Sequence, residues 1–507
     1  MSKKYVAVDI GASSGRLILA ELDDKSRISL QEVHRFKNSF RRNKGHERWF
    51  IKNLVDEILK GLQKVKSLGI EKCTVGIDTW AVDYCLLDDK GNLLAEPVAY
   101  RDDRTSGAIE EFSKLISLEE LYQKTGIQFQ VFNTIFQLFK EDKTLLDKAD
   151  KLLLIPDYLA YIFTGNMVME ETNASTMQLL NVKTRDFDEE LLEIIGINGG
   201  LFPKCVKAGT LLGNLIRENF NNYNLPESEF ITVASHDTAS AVVGTPLGSF
   251  VQKNKNDLED DKFVDKESIA KEINTAYISS GTWSLLGIEN KQVINTMDAM
   301  KENYTNEWGI NSTFRLLKNI MGMWLIQEIA RDENYLHSYE EMSNMAKNTV
   351  SGIYINVNDE LFLKPSSMKM AIKTYCEKTG QEYPKNKAVL YRSIYENLAY
   401  CYAYELKKLE GIINKKISKI HIVGGGSNIL LLNQLTADIT GIEVEAGPAE
   451  ATAIGNIVVQ MLVNGEFKSL AEARQCIKRS FDIKIYKPIN DMSEQFEKYK
   501  KFIKSSY

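Results

Sequence analysis

Short runs of β-branched and other apolar residues recur along the chain, and between them lie longer stretches whose apolar positions return every three or four residues. In the first half "YVAVDIG", "RLILAEL", "CTVGIDTW" and "CLLDD" predict strands, as do "TAYISSG", "WSLLGIE" and "KIHIVGGG" in the second. The stretches "IKNLVDEILKGLQKVKSLG" and "YRSIYENLAYCYAYELKKLEG" predict amphipathic helices. Strands alternating with helices make an α/β architecture. With 507 residues the chain exceeds what one hydrophobic core supports, so two domains are expected, 1–245 and 246–507.

The pattern also repeats. "VAVDIGASSGRLILAEL" and "TAYISSGTWSLLGIE" each read as strand, turn of Gly and hydroxyl residues, strand. Such a turn carries free backbone N–H groups and hydroxyl donors suited to a phosphate. One hairpin in each half predicts two related domains whose loops face a common cleft. The run "QKNKNDLEDDKFVDKESIAKE", residues 252–272, breaks the pattern and is expected to be a solvated insertion.

Composition narrows the function classes. There are 63 basic and 69 acidic residues and the net charge is −6, with no basic stripe interleaved with aromatics, which argues against nucleic acid or an anionic membrane as partner. The apolar run of the N-terminus is broken at Asp9, too early for a secretory leader, and "LLLIPDYLAYIFTG" is interrupted by Pro156 and Asp157. A cytoplasmic protein, monomeric or weakly self-associating, is expected. Cys73, Cys85, Cys205, Cys376, Cys401 and Cys476 form no CxxC pair, so reduced thiols are expected rather than zinc or disulfides.

Two further segments carry candidate chemistry. In "KIHIVGGGSNILLLNQLTADITG" a strand meets Gly424, Gly425 and Gly426 before an apolar helix, which suits close approach of a nucleoside, although neither GxGxxG nor a Walker loop is present. In "ITVASHDTASAVVGTP" an imidazole and a carboxylate, His236 and Asp237, stand where a strand gives way to a helix.

Together "AVDIGASSGRL", "GIDTWAVDY", "AYRDDRT", "IPDY", "ASHDTASAV", "SSGTWSL", "LKNIMG" and "HIVGGG" resemble the FGGY carbohydrate kinases, built on the actin-like, ribonuclease H-like ATPase fold. The resemblance implies transfer of the ATP γ-phosphoryl group to a sugar hydroxyl with Mg²⁺ as cofactor. The motif set is most similar to that of the members acting on the 1-hydroxyl of L-rhamnulose. The alternatives are L-fuculose, D-xylulose or L-ribulose as substrate, or a non-catalytic ATPase of the same fold.

Residue by residue, the resemblance makes Asp237 the base that accepts the hydroxyl proton, with His236 and Thr238 on the sugar's other hydroxyls. Asn319 matches a further sugar contact, and Trp80 a wall of the pocket. Ala12, Ser13, Ser14, Gly15 and Arg16 match the first phosphate loop, and Asp9 the residue orienting Mg²⁺ or its waters. Thr282 matches a hydroxyl on the nucleotide phosphates, and Gln327, Gly425 and Gly426 match positions around the nucleoside. Ala81 stands where these kinases usually carry glycine in "DTWGVD", at a backbone contact to the sugar.

Overall fold

The computed structural model describes residues 3–248 and 275–505, so the charged run 252–272 lies outside the described residues. Two compact units form. The first comprises 1–244, 289–317 and 451–480, and the second 245–288, 318–450 and 481–507.

The first unit is built on a sheet of β1 (Tyr5–Ile10), β2 (Ser14–Leu22), β3 (Ile28–Lys37), β4 (Lys72–Thr79), β5 (Leu211–Asn214) and β6 (Glu227–Ile231), in the order β5-β6-β4-β1-β2-β3. Strand β1 is buried along its whole length, apolar from Tyr5 to Val8 as a strand covered on both faces requires, with Asp9 as its one charged residue. It pairs antiparallel with β2 across the hydroxyl-rich turn and parallel with β4, which sets Asp9 beside Asp78. The helix Ile51–Ser67 covers one face through Ile51, Leu54, Ile58, Leu62 and Val65, the stripe its periodicity predicts.

A second helix in this unit, Ala451–Val463, is apolar almost all round and buries ten of its residues. It packs on β1, β4 and the short helix Asp237–Val243. Backbones touch at that crossing. A Cβ on Gly455 would lie 1.8 Å from the Ser240 carbonyl oxygen, and one on Gly244 would lie 2.0 Å from that of Ala451.

The second unit repeats the opening motif. Strands β7 (Thr275–Ser280) and β8 (Trp283–Asn290) form an antiparallel hairpin. With β11 (Lys419–Val423), β12 (Glu443–Ala446) and β13 (Lys484–Tyr486) the order from the hairpin is β8-β7-β11-β12-β13, and β9 (Thr305–Trp308) and β10 (Phe314–Met321) form a further hairpin. The antiparallel pairing of β9 with β10 involves Thr305–Trp308 and residues 314–317, which belong to the first unit. The helix Lys387–Ile413 contains the segment with predicted helical periodicity and starts on an Asn386 side-chain cap.

"LLLIPDYLAYIFTG" divides into a strand, Lys151–Leu154, and a helix, Ile155–Thr164, with Pro156 in its first turn where its missing N–H is harmless. Among the described residues no helix is long and apolar enough to cross a membrane. All six cysteines are free thiols, five of them buried and Cys205 half-buried.

Candidate active site

Strand β6 ends at Ile231, five residues before the His-Asp pair, so the pair does not sit on a strand end as expected. The intervening residues form no strand, and side chains pin them at Ser235. The buried Glu170 carboxylate accepts from the Ser235 N–H at 3.1 Å, the Ser235 hydroxyl at 2.9 Å and the Thr172 hydroxyl at 2.6 Å. The Thr79 N–H at the end of β4 donates to the Ser235 carbonyl at 2.9 Å, and a single bridge joins Thr79 to His236. These bonds carry the chain from the sheet edge into the helix that starts at Asp237.

His236 occupies the cap position without capping, and Asp237 is the first helical residue. The Asp237 side chain is 36% exposed, while His236 and Thr238 are buried. Its Oδ1 accepts from the Thr238 N–H at 2.6 Å and the Thr238 hydroxyl at 3.1 Å, and lies 3.2 Å from His236 Nε2.

Around the first hairpin, the Gly11 N–H donates to the Ser14 carbonyl at 2.9 Å, and Asn38 ties down the turn by donating from its Nδ2 to the Gly11 carbonyl and from its N–H to the Ser13 carbonyl. Ala12 and Ser14 are half-buried and Ser13 is exposed. Gly15 is glycine because a Cβ there would lie 2.2 Å from the Phe36 ring. Arg16 does not point freely from the loop. Its Nε and Nη2 donate to Asp9 Oδ2 at 3.1 and 2.9 Å.

Behind this pair stands Asp78, whose carboxyl is pushed well above the usual range by burial and by the Asp9 and Asp237 charges. Asn456 donates to its Oδ2 at 2.6 Å, whereas Oδ1 is buried with no hydrogen-bond partner among the described residues. No group of three or more His, Cys, Asp or Glu arranged to hold a metal occurs among the described residues. Two carboxylates at adjacent strand ends, one with an orphaned oxygen, still suit a Mg²⁺ ion that keeps waters and takes phosphate oxygens as its other ligands.

The "GIDTWAVDY" segment makes a tight turn. The Asp83 N–H donates to the Ala81 carbonyl at 2.9 Å around Val82, which adopts a positive φ of 68°. Ala81 is half-buried and its methyl is accommodated without a left-handed backbone at that residue. Trp80 is 5% exposed, and its ring stacks tilted on Trp49 at 4.1 Å. Both indole N–H groups donate to Asp83 Oδ2, at 2.9 Å from Trp80 and 2.6 Å from Trp49. Burial pushes the Asp83 carboxyl up to about 6 against these donors and those of Gln137 and the Tyr100 N–H.

In the second unit the expected nucleotide residues fall into two groups. Thr282, in the hairpin turn, donates its hydroxyl to Gln327 Oε1 at 3.4 Å, so these two meet. The glycine triplet leads not directly into a helix but into a 3-10 turn, Gly425–Asn428, with the α-helix beginning at Leu430. Gly424 and Gly426 press on the end of β7. A Cβ on Gly426 would lie 2.0 Å from the Ser280 hydroxyl, and one on Gly424 would lie 2.8 Å from the Ser280 carbonyl, whereas Gly425 faces open space. Asn319 lies on β10, its Oδ1 buried with no hydrogen-bond partner among the described residues.

Asp237 is thus a part-exposed carboxylate beside an imidazole, and a hydroxyl-bearing turn follows the strand that carries Asp9. Residues 4–244 match the N-terminal domain, and residues 276–463 the C-terminal domain, of the FGGY family of carbohydrate kinases. The chain belongs to this family. It is 51% identical over 507 residues to a rhamnulokinase of Enterococcus faecalis, covering 99% of this chain and 98% of the relative, and 48% identical over 485 residues to one of Bacillus subtilis, covering 96% and 95%. Among solved structures, a xylulose kinase from Lactobacillus acidophilus superposes with a TM-score of 0.75 at 15% identity, covering 99% of this chain and 96% of that one. A Plasmodium falciparum glycerol kinase with ADP gives 0.75 at 16%, covering 100% and 97%. These two show the fold.

Sequence reasoning did not single out Asp78, Asp83, Glu170, Glu307, Arg315 or Asn456. The first two lie inside the quoted "GIDTWAVDY", Asp78 near the end of β4 and Asp83 in the turn that follows it; the others reach the site only through long-range contacts.

Proposed function

We propose that this sugar kinase transfers the γ-phosphoryl group of ATP to the 1-hydroxyl of L-rhamnulose, giving L-rhamnulose 1-phosphate and ADP. The observation that carries the choice of sugar is the 51% identity over the full chain to a relative named rhamnulokinase. The chemistry rests on Asp237, whose Oδ1 is engaged by Thr238 and His236 while the side chain stays part-exposed. Its other oxygen then accepts the hydroxyl proton as the sugar oxygen attacks phosphorus, an effect commonly worth about 10²–10⁴-fold.

His236, Thr238, Asn319 and the backbone at Ala81 hold the remaining hydroxyls, with Trp80 forming part of the wall. The turn Ala12, Ser13, Ser14, Gly15 and Arg16 and the Thr282 hydroxyl hold phosphate oxygens, and Gln327, Gly425 and Gly426 lie about the nucleoside. Asp9, with Asp78 behind it, would hold Mg²⁺, which when bound neutralises charge on the phosphates. Residues 1–245 thereby serve sugar and phosphate and 246–507 the nucleotide, in a cytoplasmic protein that works as a monomer or weak homo-oligomer.

A coupled ADP-release assay tests this with L-rhamnulose, L-fuculose, D-xylulose, L-ribulose and glycerol. L-Rhamnulose should give the highest kcat/KM, and a higher value for another sugar would refute the substrate. Asp237→Asn should bind ATP nearly normally while kcat falls by about two to four orders of magnitude. A variant keeping more than about a tenth of kcat, with chemistry rate-limiting, removes Asp237 as the base.

A further inference from the structure

Val82 is β-branched yet holds a φ of 68°, where its side chain crowds the backbone. The Asp83 N–H closes the turn onto the Ala81 carbonyl two residues back, the rare and strained form of γ-turn. Such a conformation persists only where its surroundings over-determine it. The Val82 carbonyl accepts from the Thr134 hydroxyl at 2.7 Å and from Gln137 Nε2 at 3.3 Å. Gln137 Nε2 also reaches Asp83 Oδ1 at 3.2 Å and the Phe132 carbonyl at 2.8 Å, so its two hydrogens are shared among three acceptors. On the other Asp83 oxygen the Trp49 and Trp80 indoles and the Tyr100 N–H converge.

A side-chain amide can face either way, and here a cation decides. Arg104 Nη2 donates to Gln137 Oε1 at 2.8 Å; a guanidinium accepts nothing, so the amide oxygen faces Arg104 and the nitrogen faces the turn. Arg104 is itself fixed. Its side chain is 8% exposed, and its Nη1 donates to Glu141 Oε2 at 2.6 Å, an oxygen that also accepts from the Tyr84 hydroxyl. Gln137 and Thr134 are buried, so they act on the turn from behind. At the front, Ala81 is half-buried and its N–H donates to no described residue. The clamp thus holds a costly backbone shape beside an unused donor.

Resting on the reading of Ala81 as a backbone contact to the acceptor sugar, we propose that Gln137, oriented by Arg104, is a positioning residue for sugar binding. With Thr134 it holds the strained turn at Val82 and so presents the Ala81 N–H to a sugar hydroxyl. Neither side chain touches the sugar in this role. A turn free to relax would present that donor only part of the time, and sugar affinity would fall in proportion.

A double-mutant cycle tests this with whichever sugar of the panel gives the highest kcat/KM, so the identity of the sugar does not enter. Gln137→Met, close in size but without the hydrogen bonds, should raise KM for sugar by about tenfold or more. KM for ATP should stay within about twofold, and kcat at saturating sugar within about threefold. Val82→Gly admits the positive φ without the clash. In that background Gln137→Met should raise KM for sugar by no more than about threefold, because little strain is left to hold. An equal rise in both backgrounds, or an equal rise in KM for ATP, would show that Gln137 serves only the fold and would overturn the inference. Urea unfolding of the same four proteins should show the same coupling. Unfolding energies that simply add overturn the inference alone and leave Ala81 as a sugar contact. Coupled unfolding energies with KM for sugar unmoved in every variant would remove Ala81 from the sugar site and overturn the inference with it. Should Gln137→Met not fold, Thr134→Val carries the same cycle, with at least about a fivefold rise in KM for sugar that Val82→Gly reduces to less than about twofold. Thr134→Ser keeps the hydroxyl and should behave as wild type.

Discussion

The crossing of helices 237–243 and 451–463 ties the candidate base to the core, and one methyl group should disturb both. In Gly455→Ala the new Cβ would lie 1.8 Å from the Ser240 carbonyl oxygen, 2.7 Å from its carbon and 2.9 Å from the Gly244 nitrogen. All three are backbone atoms, so no side chain can swing aside. Restoring an ordinary contact of about 3.4 Å requires the helices to part by roughly 1.5 Å. Overpacking of this kind destabilises by about 1–3 kcal/mol, and rigid backbone on both sides argues for the upper end. The better helix propensity of alanine returns up to about 1 kcal/mol. The net expectation is a loss of roughly 2 kcal/mol. Asp237 is three residues from Ser240 on the same short helix, and displacement on the order of 1 Å should lower kcat by about 10²-fold. Gly411→Ala, in helix 387–413 with nothing within 4 Å of its Cβ, should gain stability by up to about 1 kcal/mol and leave kcat alone. Urea unfolding with m-values, alongside steady-state kinetics, measures both variants. A Gly455→Ala protein within about 0.5 kcal/mol and threefold of wild type would refute the close-packing argument.

Asp83 predicts a pH dependence. Its carboxyl stands at about 6 in the fold against an ordinary 3.8, so its neutral form is favoured there. The corresponding stabilisation is complete below about pH 4 and is lost as pH rises through about 6, a change on the order of 3 kcal/mol. The unfolding free energy of wild type relative to Asp83→Asn should therefore fall between pH 4 and 7, and a gap that does not change with pH contradicts the assignment. The glycine triplet should separate packing from binding: Gly426→Ala, with its Cβ against Ser280, should lose about 1–3 kcal/mol in urea unfolding. Gly425→Ala should unfold like wild type yet bind ADP at least about fivefold more weakly by calorimetry, and unchanged ADP affinity would remove Gly425 from the nucleotide site.

What could be read from the sequence was local. The apolar start of β1, the stripe of helix 51–67 and the two strand-turn-strand hairpins are local patterns of ten to twenty residues, and they appear where the pattern puts them. Helix 451–463 shows the limit. An apolar surface all round says that it is buried, but not that it packs on β1 and β4, some four hundred residues earlier, and its Asn456 reaches Asp78 across a sequence separation of 378. Glu170 and Arg315 were invisible for the same reason, since their partners Ser235 and His236 are 65 and 79 residues away. The break between β6 and the His-Asp pair was missed because bonds to the Glu170 side chain, rather than continued strand pairing, hold the end of that stretch at Ser235.

The acids around the site also explain why one of them is suited to take a proton. Asp9 is held by Arg16, Asp83 is sealed under two indole N–H groups, and Asp157 is buried with its carboxyl pushed well above the usual range. Asp78 is fully buried and shifted the same way, by burial first and then by the charges of Asp9 and Asp237. Each of these carboxyls is either committed to a fixed partner or cut off from an incoming hydroxyl. Asp237 differs in both respects, since its side chain is 36% exposed and its hydrogen bonds gather on one oxygen. A base must release its proton to solvent after each turnover, and a sealed carboxyl cannot do so without opening the fold. Environments that set neighbouring carboxyls apart in this way assign them different work. Asp9 and Asp78 are fixed at the adjoining ends of β1 and β4, whereas the part-exposed Asp237 keeps one oxygen open, which is what supports proposing it as the base.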